Sequence, residues 1–254
     1  MDYTVNIFSI YFLLYLHAWS AISVFVAVTI ASHLCSRQGK IRFMNQTLFE
    51  DSMSLESVYL NLGTWRERLS ANGPGERFVL WVQGCPLRCP GCINPDFLDF
   101  TQGIQLSVAQ MMEKILQVSD IEGVTYSGGE PTAQAKALAL LSVQLQTRGL
   151  SVVCYTGFTL EQLKARRNPW IQRLLSSVDI LIDGPYLREQ AANLLWRGSR
   201  NQRVLFLSER YRHLTEQVSN SPAQVEFCVG AQSYVASGNF PKELLRRINE
   251  ALQK

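Results

Sequence analysis

Short apolar runs alternate with helical patterns over most of the chain, and this alternation limits the possible folds more than any other feature. Strand-like runs rich in Val, Ile, Leu and Phe occur at residues 78–82, 124–126, 151–155, 178–182 and 204–207. Strands separated by helices form βαβ units with a parallel sheet, which places function at the carboxyl ends of the strands. Five strands are too few to close an eight-stranded barrel. We therefore predict an α/β fold built as a partial, open βα barrel with parallel strands.

The helix signals lie between these strands. Ser107 with Gln110 and Thr159 with Gln162 have the spacing of capping boxes. Two further starts are predicted, at Pro131 and at Asn168. Beyond residue 211 we expect a strand-like segment near residues 224–229 and a helix over residues 241–252.

Composition narrows the class of protein. With 24 Lys and Arg against 21 Asp and Glu, the formal charge is +3, which is too close to balance to indicate nucleic-acid binding. Hydrophobic residues make up 47% of the chain, as in a globular protein. Six cysteines are too few for a disulfide scaffold, and three of them lie between Cys85 and Cys92. This clustering indicates a metal site in a reducing compartment, which we expect to be the cytoplasm.

The first 43 residues form an apolar N-terminal segment. No charged residue occurs between Asp2 and Arg37, and residues 7–30 are long and apolar enough to span a bilayer. As an anchor, the segment would keep the following domain at the inner face of the membrane, because basic residues follow it. The other interpretation is that it is not part of the natural protein, which would start at Met44 or Met53. Both stay open, and we expect residues 53–210 to form the main domain and residues 211–254 a C-terminal extension.

Cys85, Cys89 and Cys92 stand at CxxxCxxC spacing in one loop after the first predicted strand. A structural zinc site needs four ligands, but no fourth Cys or His lies near in sequence, and Cys154 could reach the loop only through the fold. A four-iron cluster held by three cysteines leaves one iron open for a substrate or cofactor. We therefore expect these three cysteines to be the cluster ligands.

Together with Ser127-Gly128-Gly129-Glu130-Pro131 at the end of the second strand, the cysteine loop resembles the radical S-adenosylmethionine (SAM) superfamily. The resemblance implies a [4Fe-4S] cluster whose open iron binds SAM, and SAM cleavage that gives a 5′-deoxyadenosyl radical. It also implies roles for individual residues. Glu130 would accept a hydrogen bond from the SAM ammonium group. The full set of expected cofactor contacts is Gly91, Cys92, Ile93, Gly128, Gly129, Glu130 and Thr156.

A closer resemblance is to the activating proteins of anaerobic ribonucleoside-triphosphate reductase. It is carried by the cysteine loop with Asn94 and by the strings at residues 155–158, 183–186 and 197–203. It implies a protein substrate with a glycyl-radical site and a one-electron donor such as flavodoxin or ferredoxin. Asp183, Asn201 and Gln202 would position SAM or the partner's peptide.

Other interpretations stay open at this stage. Short radical SAM enzymes also act on small molecules in cofactor or modified-base synthesis, and a metal-stabilised binding module is the non-enzyme alternative. Taken singly, the three strings are a turn with packed aromatics, a tight turn and a solvated basic loop. Trp196 is more typical of core than of a contact surface.

Overall fold

A computed structural model describes residues 55–229, 234–238, 247 and 250 of the 254-residue chain. All of them belong to one compact unit, Met53–Lys254. The apolar segment expected over residues 1–43 lies outside the described residues, as does most of the helix expected over residues 241–252. No helix among the described residues is long and apolar enough to cross a membrane.

Seven strands form one open sheet, in the order β3-β1-β2-β4-β5-β6-β9. Two hairpins, β7-β8 and β10-β11, lie outside it. The strands are β1 (Tyr59–Leu69), β2 (Arg77–Val82), β3 (Ile104–Ser107), β4 (Gly123–Gly128), β5 (Ser151–Tyr155), β6 (Ile180–Asp183), β7 (Ala191–Leu194), β8 (Arg197–Ser199), β9 (Arg203–Phe206), β10 (Val225–Val229) and β11 (Tyr234–Gly238).

The four central strands β2, β4, β5 and β6 are parallel, so the prediction of an open α/β sheet with parallel strands is confirmed. Their registers bring the carboxyl ends to one edge of the sheet, which we call the carboxyl edge.

Strand β9 differs from the prediction, because it pairs antiparallel with β6. The connection from β6 runs through the β7-β8 hairpin and not through a crossover helix, so the chain returns at the same edge. Strands β1 and β3, which the sequence patterns did not indicate, extend the other side in antiparallel pairs.

Both predicted capping boxes are present. The Ser107 hydroxyl accepts from Gln110 N at 3.1 Å, and Thr159 does the same for Gln162. Pro131 begins a short 3-10 helix, and the α-helix proper starts four residues later. The helices are α1 (Val108–Leu116), α2 (Ala135–Gln146), α3 (Leu160–Ala165), α4 (Pro169–Ser176) and α5 (Thr215–Asn220).

Both faces of the sheet are covered. Alternate residues of each strand, such as Phe78 and Leu80, pack into a core shared with α1, α2 and α4. The opposite face is covered by Leu195 and Trp196, at the tip of the β7-β8 hairpin, and by Tyr211 and Val218 of the C-terminal extension. Trp196 is 7% exposed, so the prediction that it is a core residue is confirmed.

Buried polar groups close the amino ends of the strands. The Arg77 side chain is fully buried and donates to Thr125 Oγ1 at 2.7 Å, to Ser151 Oγ at 3.0 Å and to the Val124 carbonyl at 2.8 Å. The Tyr211 hydroxyl donates to Ser151 Oγ at 2.8 Å. Burial lowers the pKa of Arg77, although its hydrogen bonds compensate for the lost hydration. Because these buried groups close the amino ends of the strands, we expect the functional site at the carboxyl edge.

Candidate cluster and cofactor site

The cysteine loop leaves β2 at Gly84 and is closed at its base by backbone hydrogen bonds. Gly84 N donates to the Phe97 carbonyl at 2.9 Å, and Cys85 N donates to the Leu98 carbonyl at 3.1 Å. Within the loop, Cys92 N donates to the Cys89 carbonyl at 3.1 Å. Cys85 is buried, whereas Cys89 and Cys92 are partly exposed, and none of the three forms a disulfide. The loop thus offers three thiols at the carboxyl edge.

The chemistry of this donor set fits an iron–sulfur cluster. Burial raises the pKa of the Cys85 thiol, and so do the nearby Glu130 and Cys89, whereas hydrogen bonds from the backbone of Leu87 and Arg88 oppose the rise. A thiolate at this place therefore needs a cationic partner, which cluster iron would supply. Among the described residues, no three Cys, His, Asp or Glu side chains lie close enough to bind one metal ion. In a four-iron cluster each cysteine binds a different iron. Cys154 lies in the hydrophobic core and is 1% exposed.

The end of β4 meets the base of the cysteine loop directly. Gly129 N donates to the Val82 carbonyl at 2.7 Å, and Glu130 N donates to the Gly84 carbonyl at 2.9 Å. A Cβ atom on Gly129 would lie 2.3 Å from the Gly84 carbonyl oxygen, where a side chain has no room. The glycines of this turn were expected to admit a ligand. The structure shows that Gly129 also lets the backbone of β4 approach the cysteine loop.

The Glu130 side chain is 1% exposed and ties two strand ends together. Its Oε1 accepts from Thr132 N at 2.9 Å, from Thr132 Oγ1 at 2.6 Å and from Thr156 Oγ1 at 2.9 Å. Its Oε2 accepts from Gly157 N at 2.8 Å. Burial raises the pKa of Glu130, and these hydrogen bonds oppose the rise. Oε2 keeps one acceptor position, so a bond to the SAM ammonium group stays a prediction.

Thr156 and Gly157, at the end of β5, complete the junction. Thr156 N donates to the Ile182 carbonyl at 2.8 Å. A Cβ atom on Gly157 would lie 2.3 Å from Leu87 Cδ1, in the cysteine loop. The ends of β2, β4 and β5 therefore meet around the cysteine loop, and the predicted contact Thr156 lies at this junction.

Asp183, at the end of β6, is fully buried. Its Oδ2 accepts from Leu160 N, at the start of α3, at 2.7 Å, and its Oδ1 accepts from Arg203 Nε at 2.9 Å. Arg203 also forms an ion pair with Glu161 at 2.8 Å. Asp183 thus joins β6, β9 and α3, and its expected role toward SAM or a peptide stays a prediction.

Asn201 and Gln202 hold the turn that follows β6. Asn201 Nδ2 donates to the Pro185 carbonyl at 2.7 Å, and Gln202 Nε2 donates to the Gly184 carbonyl at 3.1 Å. Asn201 Oδ1 is buried and has no hydrogen-bond partner among the described residues. The basic string at residues 197–203 is therefore more than a solvated loop, because it forms β8 and the start of β9. The expected role of Asn201 toward SAM or a peptide stays a prediction.

Sequence reasoning missed an amide network beneath the cysteine loop. Gln134 accepts from Asn61 N at 2.8 Å and donates to the Asn61 and Gln83 carbonyls. Gln83 in turn donates to the carbonyls of Asp96 at 3.0 Å and Asp99 at 2.8 Å. These amides fix the segment after the last cysteine. No local pattern marks them, because their partners are up to 73 residues away in sequence.

Comparison with known proteins bears on this site. Residues 71–205 match a family model described as a 4Fe-4S single cluster domain. The anaerobic ribonucleoside-triphosphate reductase-activating protein of Vibrio cholerae is 34% identical over 143 residues, which cover 52% of this chain and 88% of that protein. The chain belongs to this activating-protein family. The activating protein of the same name from Escherichia coli K12 is 30% identical over 142 residues, covering 52% of this chain and 90% of the relative.

The match to the activating-protein family covers the site. The 4Fe-4S domain spans the cysteine loop, the turn at residues 128–130 and the turn after β6, so a [4Fe-4S] cluster is the cofactor of this domain. The solved structure of QueE from Escherichia coli overlaps 42% of this chain and 57% of its own, at 19% identity and a TM-score of 0.35. That likeness is too slight to support an argument. Residues beyond 205 lie outside the family match.

Proposed function

We propose that this chain is a radical SAM activating enzyme. It would bind the [4Fe-4S] cluster through Cys85, Cys89 and Cys92, bind SAM at the open iron, and generate a glycyl radical on an anaerobic ribonucleoside-triphosphate reductase. The observation that carries the proposal is the hydrogen-bonded meeting of the cysteine loop with the turn at residues 128–130. It puts a three-thiol site beside the turn expected to bind the cofactor. The shared name of the relatives supplies the reductase as partner.

Cys85, Cys89 and Cys92 would hold the cluster, which would supply the one electron for reductive cleavage of SAM to methionine and a 5′-deoxyadenosyl radical. That radical would take a hydrogen atom from the partner's glycine, giving 5′-deoxyadenosine and the glycyl radical. The electron comes from a one-electron donor such as flavodoxin or ferredoxin. We place this reaction in the cytoplasm, because thiol ligands require a reducing compartment.

The residues of this chain hold the reactants in place. The backbone at Gly128 and Gly129 and the remaining acceptor position of Glu130 would bind the methionine part of SAM. Gly91 and Ile93 would line the adenine; Ile93 is 41% exposed, so its side chain is available for such a contact. Asp183 joins β6 to β9 and α3, and Gln202 fixes the turn after β6. The unpartnered Asn201 Oδ1 would accept from a backbone N–H of the partner's glycine loop.

The test is reconstitution of the full chain with iron and sulfide, followed by reduction in the presence of SAM and the reductase. We expect about four irons per chain, formation of 5′-deoxyadenosine and methionine, and a glycyl-radical EPR signal on the reductase. Iron binding without SAM cleavage would favour a metal-stabilised binding module. Cleavage that never yields a glycyl radical on the reductase would favour a small-molecule enzyme.

A further inference from the structure

The guanidinium group of Arg188 lies against the cysteine loop. A Cβ atom on Gly91 would lie 2.9 Å from both Nε and Nη2 of Arg188 and 3.3 Å from its Cζ. Gly91 stands between Cys89 and Cys92 and has a φ of +82°, in the left-handed region that favours glycine. The charged end of Arg188, and not its aliphatic part, therefore rests on the backbone between two cluster ligands.

The backbone around Arg188 is held from the hairpin. Arg188 begins a short 3-10 helix, Arg188–Gln190. Before it, Leu187 N donates to Ser199 Oγ at 3.2 Å, and after it, Arg200 N donates to the Gln190 carbonyl at 2.8 Å. Both contacts come from the β8 end of the hairpin. The backbone position of Arg188 beside the loop is thus set by the fold, whereas its side chain is exposed.

The charge of Arg188 is not neutralised locally. In the part of the chain that the structure describes, ion pairs engage Arg68, Arg203, Arg210 and Arg212, and no carboxylate pairs with Arg188. The buried Glu130, whose N–H donates to the Gly84 carbonyl, places a carboxyl group at the base of the loop. Arg188 is therefore a cation that lies against the loop with no ion-paired carboxylate among the described residues.

A cluster bound by three thiolates becomes more negative when it takes up an electron. Its reduction potential depends on net charge, hydrogen bonds and solvent exposure. A fixed cation beside the ligand loop favours the reduced state. We propose that the positive charge of Arg188 raises the reduction potential of the cluster. It would thereby favour transfer of the electron from the one-electron donor to the cluster. The inference rests on the proposed function, since it assumes a cluster at the three cysteines.

The test compares Arg188→Gln, Arg188→Lys and the control Arg200→Gln, which removes an exposed arginine whose backbone N–H donates to the Gln190 carbonyl. Each full-length protein is reconstituted without SAM and titrated with dithionite while the reduced cluster is followed by EPR. For Arg188→Gln we expect a roughly tenfold smaller equilibrium constant for reduction, which is a shift of about 59 mV to lower potential for one electron. The shift should shrink as ionic strength rises, because the side chain is exposed. Arg188→Lys should retain most of the wild-type potential, and Arg200→Gln all of it.

An unchanged potential in Arg188→Gln with full iron content would overturn the inference. An unchanged potential together with weaker SAM binding would also overturn the inference, because the guanidinium group would then act by binding SAM. If Arg188→Gln loses iron, the reduction potential of Arg188→Lys decides the question. A potential equal to that of the wild-type protein supports the electrostatic role. A potential that falls although the positive charge is retained overturns it. Failure of the proposed function would show separately, as wild-type protein that binds no cluster or does not cleave SAM.

Discussion

Replacing Glu130 with alanine should weaken the whole carboxyl edge. The substitution leaves four donors without their acceptor: the buried Thr132 N, Thr132 Oγ1 and Thr156 Oγ1, and the partly buried Gly157 N. The two hydroxyls can turn to other acceptors, whereas the two backbone N–H groups cannot. An unsatisfied buried donor costs about 1–3 kcal/mol, so the two together cost roughly 2–6 kcal/mol. Removing the buried carboxylate recovers its desolvation, and we therefore expect a net loss of about 2–4 kcal/mol of unfolding free energy.

The assay for this loss is urea unfolding of the cluster-free full chain at neutral pH, read as the midpoint at unchanged slope. Glu189→Ala is the matched control, because Glu189 is exposed, and an exposed substitution of this kind should change stability by less than about 0.5 kcal/mol. A loss below about 1 kcal/mol in Glu130→Ala would refute the argument that Glu130 joins the two strand ends.

The same variant also tests the expected bond to SAM. Loss of a charged hydrogen bond is worth about 1.5–3 kcal/mol, so SAM affinity in Glu130→Ala should fall roughly tenfold to a hundredfold, with iron content retained. Thr132→Val separates the two roles, since it disturbs the hydrogen-bond network but keeps the carboxylate. An equal fall of affinity in Thr132→Val would show that Glu130 acts by positioning the turn and not by contact with SAM.

Substitutions in the cysteine loop, in the turn after β6 and at the Arg203 ion pair each test one contact. Cys89→Ala should abolish cluster binding, measured as iron and labile sulfide, whereas Cys154→Ala should retain both and change only stability; full iron content in Cys89→Ala would contradict the ligand assignment. Asn201→Ala should spare 5′-deoxyadenosine formation more than the glycyl-radical signal, and equal losses would argue against a peptide contact. The hydrogen bonds from Arg203 lower the pKa of Glu161 from its ordinary 4.5 to about 2. The stability contributed by this ion pair is therefore complete above pH 4.5 and is lost as pH falls toward 2. Glu161→Gln should make the unfolding free energy, measured by urea unfolding at each pH, depend less on pH in that range. An unchanged pH dependence would show that the pair contributes nothing.

The central strands could be predicted because they are buried on both faces. Such strands read as continuous apolar runs, and those at residues 78–82 and 151–155 coincide with β2 and β5 within one residue. Strand β1 escaped prediction because its sequence, Tyr59–Leu69, mixes apolar residues with Arg66, Glu67 and Arg68, which an antiparallel flank can leave partly exposed. The direction of β9 was not readable either, since an apolar run carries no information about the connection that precedes it.

The site was predictable only as far as its local motifs. The spacing of the cysteines and the Gly128-Gly129-Glu130 string indicated the chemistry, because both are local in sequence. The partners of Glu130 were not predictable, since Thr156 and Gly157 come from the next strand, 26 and 27 residues away. Hydrogen bonds of this kind depend on strand register, which the pattern of a single strand does not fix.

Among the described residues, buried polar groups around Arg77 close the amino ends of the strands, and Leu195, Trp196, Tyr211 and Val218 cover one face of the sheet, so these residues leave the carboxyl edge as the approach to the site. Small molecules and the partner's peptide would then use the same entrance. SAM would have to enter before the peptide, and methionine could leave only after the peptide withdraws. We therefore expect ordered kinetics, in which excess reductase slows both the entry of SAM and the release of methionine.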